Sequence, residues 1–221
     1  KYTLLTEGSR GHLGKQLIEK YKLDKDVDPQ HYGLGIKELW QIDPALHHPG
    51  FVMHSIGWPL AEHGATGGAF LYHLGKDQVY VGLITDLNYQ NPNLSPFDEF
   101  QRLKLHPAFS RYLKGGKRLA YGARTITKGG YNSLPKMVFP GGLLLGCDAG
   151  TLNAAKLKGT HTAMKTGMVG AETVFSAIEL NKESLDNFTL LYETSWVYQE
   201  LYQSRNFAPI THRCNAMLGI T

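Results

Sequence analysis

The sequence predicts a mixed α/β (α+β) fold in which a β-rich block is inserted into an α/β layer. Two units of strand, glycine-rich loop and helix occur at residues 2–23 and 141–180, near the two ends of the chain. Between them, residues 31–90 are short β-branched or aromatic runs divided by Gly, Pro and Asp, which indicates a mostly antiparallel sheet. We therefore expect three segments, of which the outer two form one domain: 1–28, 29–125 and 126–221.

Local signals place the elements in chain order. YTLLT predicts a short buried strand, and GKQLIEKYKL after the glycine turn has apolar residues at helical spacing. Ser95 as an N-cap and Pro96 in the first turn predict a helix that packs on the sheet and is interrupted at Pro107. Later segments predict strands in KRLAYGARTI and in KMVFPGGLLLGCD, a long helix over 160–180 and an aromatic-rich helix pair or bent helix over 185–206.

Composition narrows the class of protein. A formal charge of +4 with scattered Lys and Arg, and no basic stripe interleaved with aromatics, argues against nucleic acid as a partner. Two cysteines, Cys147 and Cys214, form neither a disulfide framework nor a metal-ligand pair, so no metal site is expected in this chain. The chain has no run of 18 apolar residues, so its sequence does not predict a membrane-spanning helix. The chain starts abruptly on a strand, which suggests part of a larger domain.

Asp148 stands where a ligand site is expected. It follows the apolar run GGLLLGC, and the carboxyl ends of strands are where α/β sheets bind ligands. A helix starts after it, near Gly159, Thr160 and Thr162, and its unpaired N–H groups would attract phosphate or the electron-rich edge of a reduced flavin. The alternative is that Asp148 caps a turn and Thr160 caps a helix.

A second candidate lies in TEGSRGHLG, where Glu7 and Gly8 follow the first strand and Arg10 faces the helix entry. No G-x-G-x-x-G follows a strand anywhere in the chain, so the fingerprint that holds a dinucleotide pyrophosphate is missing. We expect the strands of residues 2–17 and 141–165 to lie side by side, with their loops and helix starts around one ligand.

Several motifs carry a resemblance to a known family. They are LTEGSRGHLGKQL, YGLGIKELW, GWPL followed by GGAFLYHL, LNYQNPNLSPFDEFQRLKLHP, GGKRLAYGAR, PGGLLLGCDAGTLN, KLKGTHTAMKTG and SWVYQELYQSRN. In this order, over essentially the whole chain, they resemble the electron-transfer flavoprotein:ubiquinone oxidoreductases. The resemblance implies part of an FAD-binding Rossmann-like domain with an inserted ubiquinone-binding domain, and a chain that is the central portion of a longer protein.

The resemblance also implies the cofactors and partners. The family carries FAD and a 4Fe-4S cluster and passes electrons from electron-transfer flavoprotein to ubiquinone at a membrane surface. The G-x-G-x-x-G unit and the cluster cysteines would lie outside this chain. The implied location is the bacterial cytoplasmic membrane or the matrix side of the mitochondrial inner membrane, with monotopic attachment.

Site residues follow from the same resemblance. Gly146 and Asp148 would lie beside the ribityl chain and pyrophosphate, although Cys147 separates two residues that related flavoproteins keep adjacent. Gly159–Thr162 would lie near the isoalloxazine. Asn132 and Asn153 are further candidates for hydrogen bonds to the flavin, and either is equally suited to a turn.

Gly67 and Gly68 would form the quinone site, since glycine lets a flat head group approach the backbone. A β-bulge or tight hairpin corner is the alternative. His73 and His161 are candidates for a proton path to the quinone. Trp196, Tyr198 and Tyr202 suit either the core, which we favour, or a membrane contact.

Two other functions remain open at this stage. A flavin reductase of the geranylgeranyl reductase-like type would share the fold and hydrogenate isoprenoid double bonds. The chain could also be an inactive structural portion that binds FAD poorly because half of the pyrophosphate cradle is missing.

Overall fold

A computed structural model describes residues 2–207, 209 and 210, so that Cys214 lies outside the described residues. Eight strands and six α-helices occur within this part of the chain. In chain order they are β1 (Thr3–Leu5), α1 (His12–Tyr21), β2 (Tyr32–Gln41), β3 (Val52–Ile56), β4 (Gly67–His73), β5 (Gln78–Asp86), α2 (Pro96–Leu105), α3 (Pro107–Leu113), β6 (Lys117–Thr127), β7 (Val138–Phe139), β8 (Gly142–Leu144), α4 (Thr160–Glu179), α5 (Asn187–Glu193) and α6 (Trp196–Gln203).

The chain divides into two compact units. The first unit contains the residues up to Tyr32 and those from Ile126 onwards, and the second contains Gly33–Thr125. The first unit has a three-stranded sheet in the order β1-β8-β7, in which β1 and β8 are parallel. Its core joins this sheet to helices α4, α5 and α6 through residues such as Leu143, Leu145, Val169, Phe188 and Val197.

The second unit is built on an antiparallel sheet in the order β3-β4-β5-β2-β6. Successive side chains of a strand point to opposite faces, and here one face is buried and the other is not. Leu71 on β4 and Val81 on β5 pack in one core with Phe100 and Leu103 of α2 and Phe109 of α3. Helices α2 and α3 therefore cover one face, and β3 and β6 are the outer strands.

The helices of the second unit begin as the sequence predicts. The Ser95 hydroxyl accepts a hydrogen bond from Asp98 N at 3.3 Å, and Pro96 is the first residue of α2. Pro107 does more than interrupt one helix. Because it starts α3, with His106 as the cap, it divides the predicted helix into two.

Within the described residues, no helix has both the length and the apolar character that crossing a membrane requires.

Candidate functional site

Two parallel strands bring the glycine-rich loops of the first unit together. β1 and β8 pair with Thr3 opposite Gly142 and Leu5 opposite Leu144. Since the carboxyl ends of parallel strands lie at the same edge of a sheet, the loops after both strands meet there. The expected side-by-side arrangement of these two strands is confirmed.

The strand before Asp148 is shorter than the sequence predicts. β8 ends at Leu144, and Gly146–Asp148 forms a single 3-10 turn. Gly146 has a φ of +60°, in the left-handed region that favours glycine, and there the chain leaves the sheet. Asp148 therefore lies in a turn beyond the strand, and the prediction that the strand continues to Asp148 is wrong.

Two carboxylates, those of Glu7 and Asp148, lie at the start of helix α1. The Glu7 N–H donates to Asp148 Oδ2 at 3.3 Å. Glu7 Oε2 accepts hydrogen bonds from Leu13 N at 2.9 Å and Gly14 N at 2.8 Å. The first N–H groups of a helix have no partner within the helix and attract negative charge. The Glu7 side chain therefore satisfies this end of α1 from within the protein.

Glycines in α1 and its entry leave the space that Asp148 occupies. A Cβ would lie 2.4 Å from Asp148 Oδ1 at Gly14 and 2.8 Å from the same oxygen at Gly11. Burial raises the pKa of Asp148, and the negative charge of Glu7 raises it further, against the lowering effect of hydrogen bonds from two backbone N–H groups. Asp148 is thus bonded within the protein, and its predicted contact with a cofactor stays a prediction.

Gly8 and Arg10 lie on the exposed side of the first loop. Both have positive φ, +93° for Gly8 and +57° for Arg10. The Arg10 guanidinium carbon is 5.9 Å from the centre of the Tyr32 ring. Arg10, Tyr32 and Asp148 line a cavity of about 660 Å³ within the first unit. The structure therefore brings Glu7, Gly8, Arg10 and Asp148 into one neighbourhood.

Helix α4 presents a different kind of N-terminus. Its N-cap is Gly159, and no side chain caps this end of the helix. Thr160 is exposed, whereas Thr162 is fully buried and its hydroxyl donates to Gly159 O at 2.8 Å. Gly146 N donates to Thr166 Oγ1 in the next turn of α4, at 3.2 Å. The start of α4 is thus held against the Gly146 turn while its own first N–H groups lack a side-chain cap.

Asn153 is committed to a cluster around Glu200 of α6. Asn153 is 1 % exposed, and its Nδ2 donates to Glu200 Oε1 at 2.9 Å while its Oδ1 accepts from Lys156 N at 3.1 Å. Lys156 Nζ lies 2.7 Å from Glu200 Oε2, and His161 Nε2 lies 2.8 Å from Oε1. The His161 ring also stacks on Trp196. Glu200 therefore ties the loop before α4, through Asn153 and Lys156, and the first turn of α4, through His161, to α6.

Glu200→Gln is expected to loosen that loop. Burial raises the pKa of Glu200, but hydrogen bonds from Lys156, His161 and Asn153 outweigh it and lower the pKa to about 2. The charged carboxylate therefore stabilises the fold above about pH 4.5, and this contribution is lost as the pH falls towards 2.

Hydrogen exchange of residues 153–158 should accelerate about tenfold in Glu200→Gln at pH 7, because a charge-assisted contact is lost. Glu179→Gln changes an exposed carboxylate of α4 and is the control. Equal exchange rates in the parent and in Glu200→Gln would contradict the role given to Glu200.

Asn132 lies away from the carboxylate pair. It is in the 3-10 turn Tyr131–Ser133, and its Nδ2 donates to Arg205 O at 3.2 Å. It lines a separate cavity of about 1110 Å³ with Leu185 and Tyr192, and Asp148 is not among the lining residues. The structure therefore does not bring Asn132 together with Glu7 and Asp148.

The second unit leaves one face of its sheet uncovered by α2 and α3. We call this the open face, and its central positions are Val52, His54 and Ile56 on β3, Gly68, Phe70 and Tyr72 on β4, and Tyr80, Gly82 and Ile84 on β5. The Phe70 and Tyr72 rings stack 4.7 Å apart. Phe70 lies over Gly82, where a Cβ would be 2.5 Å from its ring. The open face is a flat aromatic and aliphatic surface.

Gly67 and Gly68 begin β4 and are packed against their neighbours. A Cβ at Gly67, which has a φ of +152°, would lie 2.0 Å from Ile84 O. A Cβ at Gly68 would lie 2.8 Å from Ser55 O on β3. Both glycines are therefore required by the sheet itself. A role in quinone binding stays a prediction, and Gly68 is the one that lies on the open face.

The two histidines predicted for a proton path are not placed for it. His73 ends β4, six residues from Gly67, or about 20 Å along an extended strand. It is 4 % exposed, its Nδ1 accepts from His48 N, and burial together with His47 and His48 lowers its pKa. His161 is bound to Glu200 in the other unit. Neither histidine belongs to the open face.

The aromatic C-terminal helix is only partly in the core. Tyr198 is half-buried and its hydroxyl is 2.7 Å from that of Tyr131, whereas Trp196 and Tyr202 are exposed. Val197 and Leu201 supply the buried side of α6. The preference for the core holds for one of the three predicted aromatics.

Comparison with known proteins identifies the family. The family described as "ETF-QO, ubiquinone-binding" matches residues 32–126. An electron transfer flavoprotein-ubiquinone oxidoreductase of Pseudomonas aeruginosa is 60% identical over 99% of this chain. The mitochondrial protein of that name from Homo sapiens is 50% identical over 100% of the chain. The chain spans 40% of the length of the first relative and 36% of the second.

Solved structures agree on the fold. A geranylgeranyl bacteriochlorophyll reductase-like protein from Thermoplasma acidophilum has a TM-score of 0.68 at 15% identity, over 93% of this chain and 50% of that one. A flavoprotein/dehydrogenase from Cytophaga hutchinsonii has a TM-score of 0.55 at 13% identity, over 95% of this chain and 48% of that one. The predicted fold class is confirmed, and by its sequence the chain belongs to the electron transfer flavoprotein-ubiquinone oxidoreductase family.

Proposed function

We propose that this chain supplies the quinone-binding domain and part of the flavin-binding domain of an oxidoreductase that passes electrons from reduced electron transfer flavoprotein to ubiquinone. One observation carries the proposal. The match to the ubiquinone-binding family spans residues 32–126, and the second unit spans Gly33–Thr125. This agreement supports a quinone-binding role for the second unit, which is a compact body with its own core.

The open face suits a quinone by its chemistry. A quinone head group is flat, and an isoprenoid tail is apolar, so both favour an apolar surface with aromatic rings. On this face Gly68 stands between Ile56 on β3 and Ile84 on β5, its paired residues. Because glycine has no side chain, the surface over Gly68 is a shallow depression between the side chains of Ile56 and Ile84. We place the quinone head group over Gly68.

The fit of a flavin differs between the two helix starts in the first unit. At α1 the Glu7 carboxylate already accepts from two backbone N–H groups, so this end does not favour a pyrophosphate. At α4 no side chain caps Gly159, and the dipole of a 20-residue helix favours an electron-rich group. We propose that Gly146 and Gly159–Thr162 hold the flavin there. Bound FAD would supply the two-electron chemistry.

The remaining predicted residues are proposed to hold loops in place and not to contact the cofactor. Glu7 and Asp148 hold the loop that carries Gly8 and Arg10. Arg10 is one of three cations that line this cavity, with Lys15 and Lys22. Asn153 fixes the loop before α4 through Glu200. Asn132, in another cavity, is proposed only as a turn residue.

Membrane attachment is the third part of the proposal. Phe97 and Leu105 on α2 are exposed, Leu105 to 77 %. A monotopic protein needs an apolar patch at the headgroup boundary and no spanning helix. We propose that α2 contributes to this patch, at the bacterial cytoplasmic membrane or the mitochondrial inner membrane.

Binding of ubiquinone-1 to the chain tests the quinone site. Titration should quench the fluorescence of Trp40 or Trp58, which belong to the second unit. Ile56→Lys is expected to weaken binding about tenfold, since it places a charge beside the head group at a position that is 50 % exposed. Leu105→Lys on α2 is the matched control, and it should leave the affinity unchanged. Equal affinity in Ile56→Lys and the parent would remove the quinone from the open face.

A further inference from the structure

We propose that His54, oriented by Tyr72, is the residue that delivers a proton to the quinone, an inference that rests on the proposed function. His54 lies on β3 directly opposite Phe70, and Gly68 is therefore its diagonal neighbour on β4. Diagonal neighbours in an antiparallel sheet lie about 7–8 Å apart, within reach of a long side chain. Tyr72 is the other diagonal neighbour of His54, on the opposite side of Phe70 from Gly68. We therefore place the head group so that it extends from Gly68 over Phe70 towards the His54 imidazole.

The hydrogen bond between His54 and Tyr72 fits a group that changes its protonation. His54 Nε2 and the Tyr72 hydroxyl are 3.0 Å apart, and their rings are 5.4 Å apart. A phenol donates to Nε2 when the imidazole is neutral and accepts from Nε2–H when it is protonated. Tyr72 can therefore keep the ring in place in both states, and it leaves Nδ1 as the atom that exchanges a proton.

Burial raises the pKa of Tyr72, which keeps its hydroxyl protonated at neutral pH. Tyr80 on β5 and Lys37 on β2 are titratable groups on the same face, with the Lys37 ammonium 5.3 Å from the centre of the Tyr80 ring. Lys37 is opposite Gly82, across Phe70 from His54. His54 is the imidazole among these groups, and an imidazole can both donate and accept a proton.

Proton transfer from His54 balances the electrons that the proposed function assigns to the flavin. Ubiquinone takes two electrons from a reduced flavin and two protons to become the quinol. The His54 imidazolium gives one proton from Nδ1 to a quinone carbonyl oxygen and becomes neutral. Because His54 is exposed, it regains a proton from water before it delivers the second. No bond other than N–H and O–H is broken or formed by the protein.

His54→Gln in the intact protein tests this role. Glutamine keeps a hydrogen-bond partner for Tyr72 but does not titrate. We expect the rate of ubiquinone-1 reduction at pH 7 to fall about 100-fold with an unchanged KM, since general acid catalysis contributes at least this much. The pH dependence of the rate of quinone reduction should differ between the parent and the variant, because the variant lacks the imidazole. Reduction of ferricyanide, which takes up no proton, should stay at the parent rate.

Rescue and control variants make the result specific. Added imidazole should restore quinone reduction in His54→Ala and should not change the parent. His48→Gln alters another exposed histidine of the same unit and should have no effect. If the parent reduces ubiquinone-1 and His54→Gln does so at the same rate, this inference fails and the proposed function stands. If the parent itself fails to reduce or bind ubiquinone-1, the proposed function fails.

Discussion

Replacing Glu38 by alanine is expected to destabilise the second unit by about 3–5 kcal/mol, because it leaves a mostly buried cation without its partner. Glu38 on β2 is 2 % exposed and accepts from Lys104 Nζ at 2.8 Å, Trp40 Nε1 at 2.8 Å and Arg118 Nη1 at 3.2 Å. Lys104 is itself largely buried, whereas Arg118 is half exposed and contributes less. The carboxylate therefore ties β2 to α2 and β6.

The charge state of Glu38 supports this expectation. Burial raises the pKa of Glu38, but hydrogen bonds from Lys104, Trp40 and Arg118 outweigh it, so that the pKa is lowered from its ordinary value. The carboxylate is charged at neutral pH. Its contribution is present above about pH 4.5 and is lost as the pH falls below that value.

Urea unfolding followed by tryptophan fluorescence measures the change. Glu62→Ala removes a carboxylate that pairs with Arg102 at an exposed position of the same unit, and this control should change the midpoint little. Glu38→Leu combined with Lys104→Met removes both charges and should recover most of the lost stability. A Glu38→Ala midpoint equal to that of the parent would show that the buried contacts contribute nothing net.

Gly67→Ala is expected to destabilise the same unit by about 3 kcal/mol, since it combines backbone strain with overpacking. The φ of +152° at Gly67 is unfavourable for any side chain, and the new Cβ would meet Ile84 O at 2.0 Å and Leu60 Cδ1 at 2.6 Å. Leu60 Cδ1 is the end of a side chain and can move, but Ile84 O belongs to the backbone of β5, so the strand pair itself must shift.

Gly75→Ala is the matched control for Gly67→Ala. Gly75 follows the same strand, its φ lies outside the left-handed region, and a Cβ there meets nothing within 4 Å. The free energy of unfolding of Gly75→Ala should differ from that of the parent by less than about 1 kcal/mol. Thermal unfolding of both variants compares them directly, and similar melting temperatures would contradict the strain argument. If Gly67→Ala lost quinone binding and Gly75→Ala did not, the distortion of the sheet would be enough to explain the loss.

Sequence patterns predicted those features that depend on neighbours along the chain. The start of α2 at Ser95 and Pro96 follows from a hydroxyl and a ring within one turn of helix. The antiparallel sheet of the second unit follows from short β-branched or aromatic runs divided by Gly, Pro and Asp. The break at Pro107 was also predictable, although not the new helix that begins there, because its cap is the side chain of His106.

Contacts between distant residues could not be predicted in the same way. Glu200 binds Asn153 and His161, which precede it by 47 and 39 residues, and no local pattern links them. Glu7 was a candidate ligand because it follows a strand, yet its carboxylate turns back onto α1. The sequence predicts a helix start, and every helix start has N–H groups without a partner in the helix. It does not predict that Glu7 is the residue that accepts from them.

The Glu7 carboxylate gives the α1 end of the first unit a built-in acceptor for its first N–H groups. An incoming phosphate would have to displace it or meet its repulsion. At α4 the nearby Glu200 carboxylate binds Lys156 and His161, and among the described residues no side chain caps the helix. We therefore expect the two helix ends to differ in their affinity for an anionic group, because a carboxylate accepts from the first N–H groups of α1 and none does so at α4.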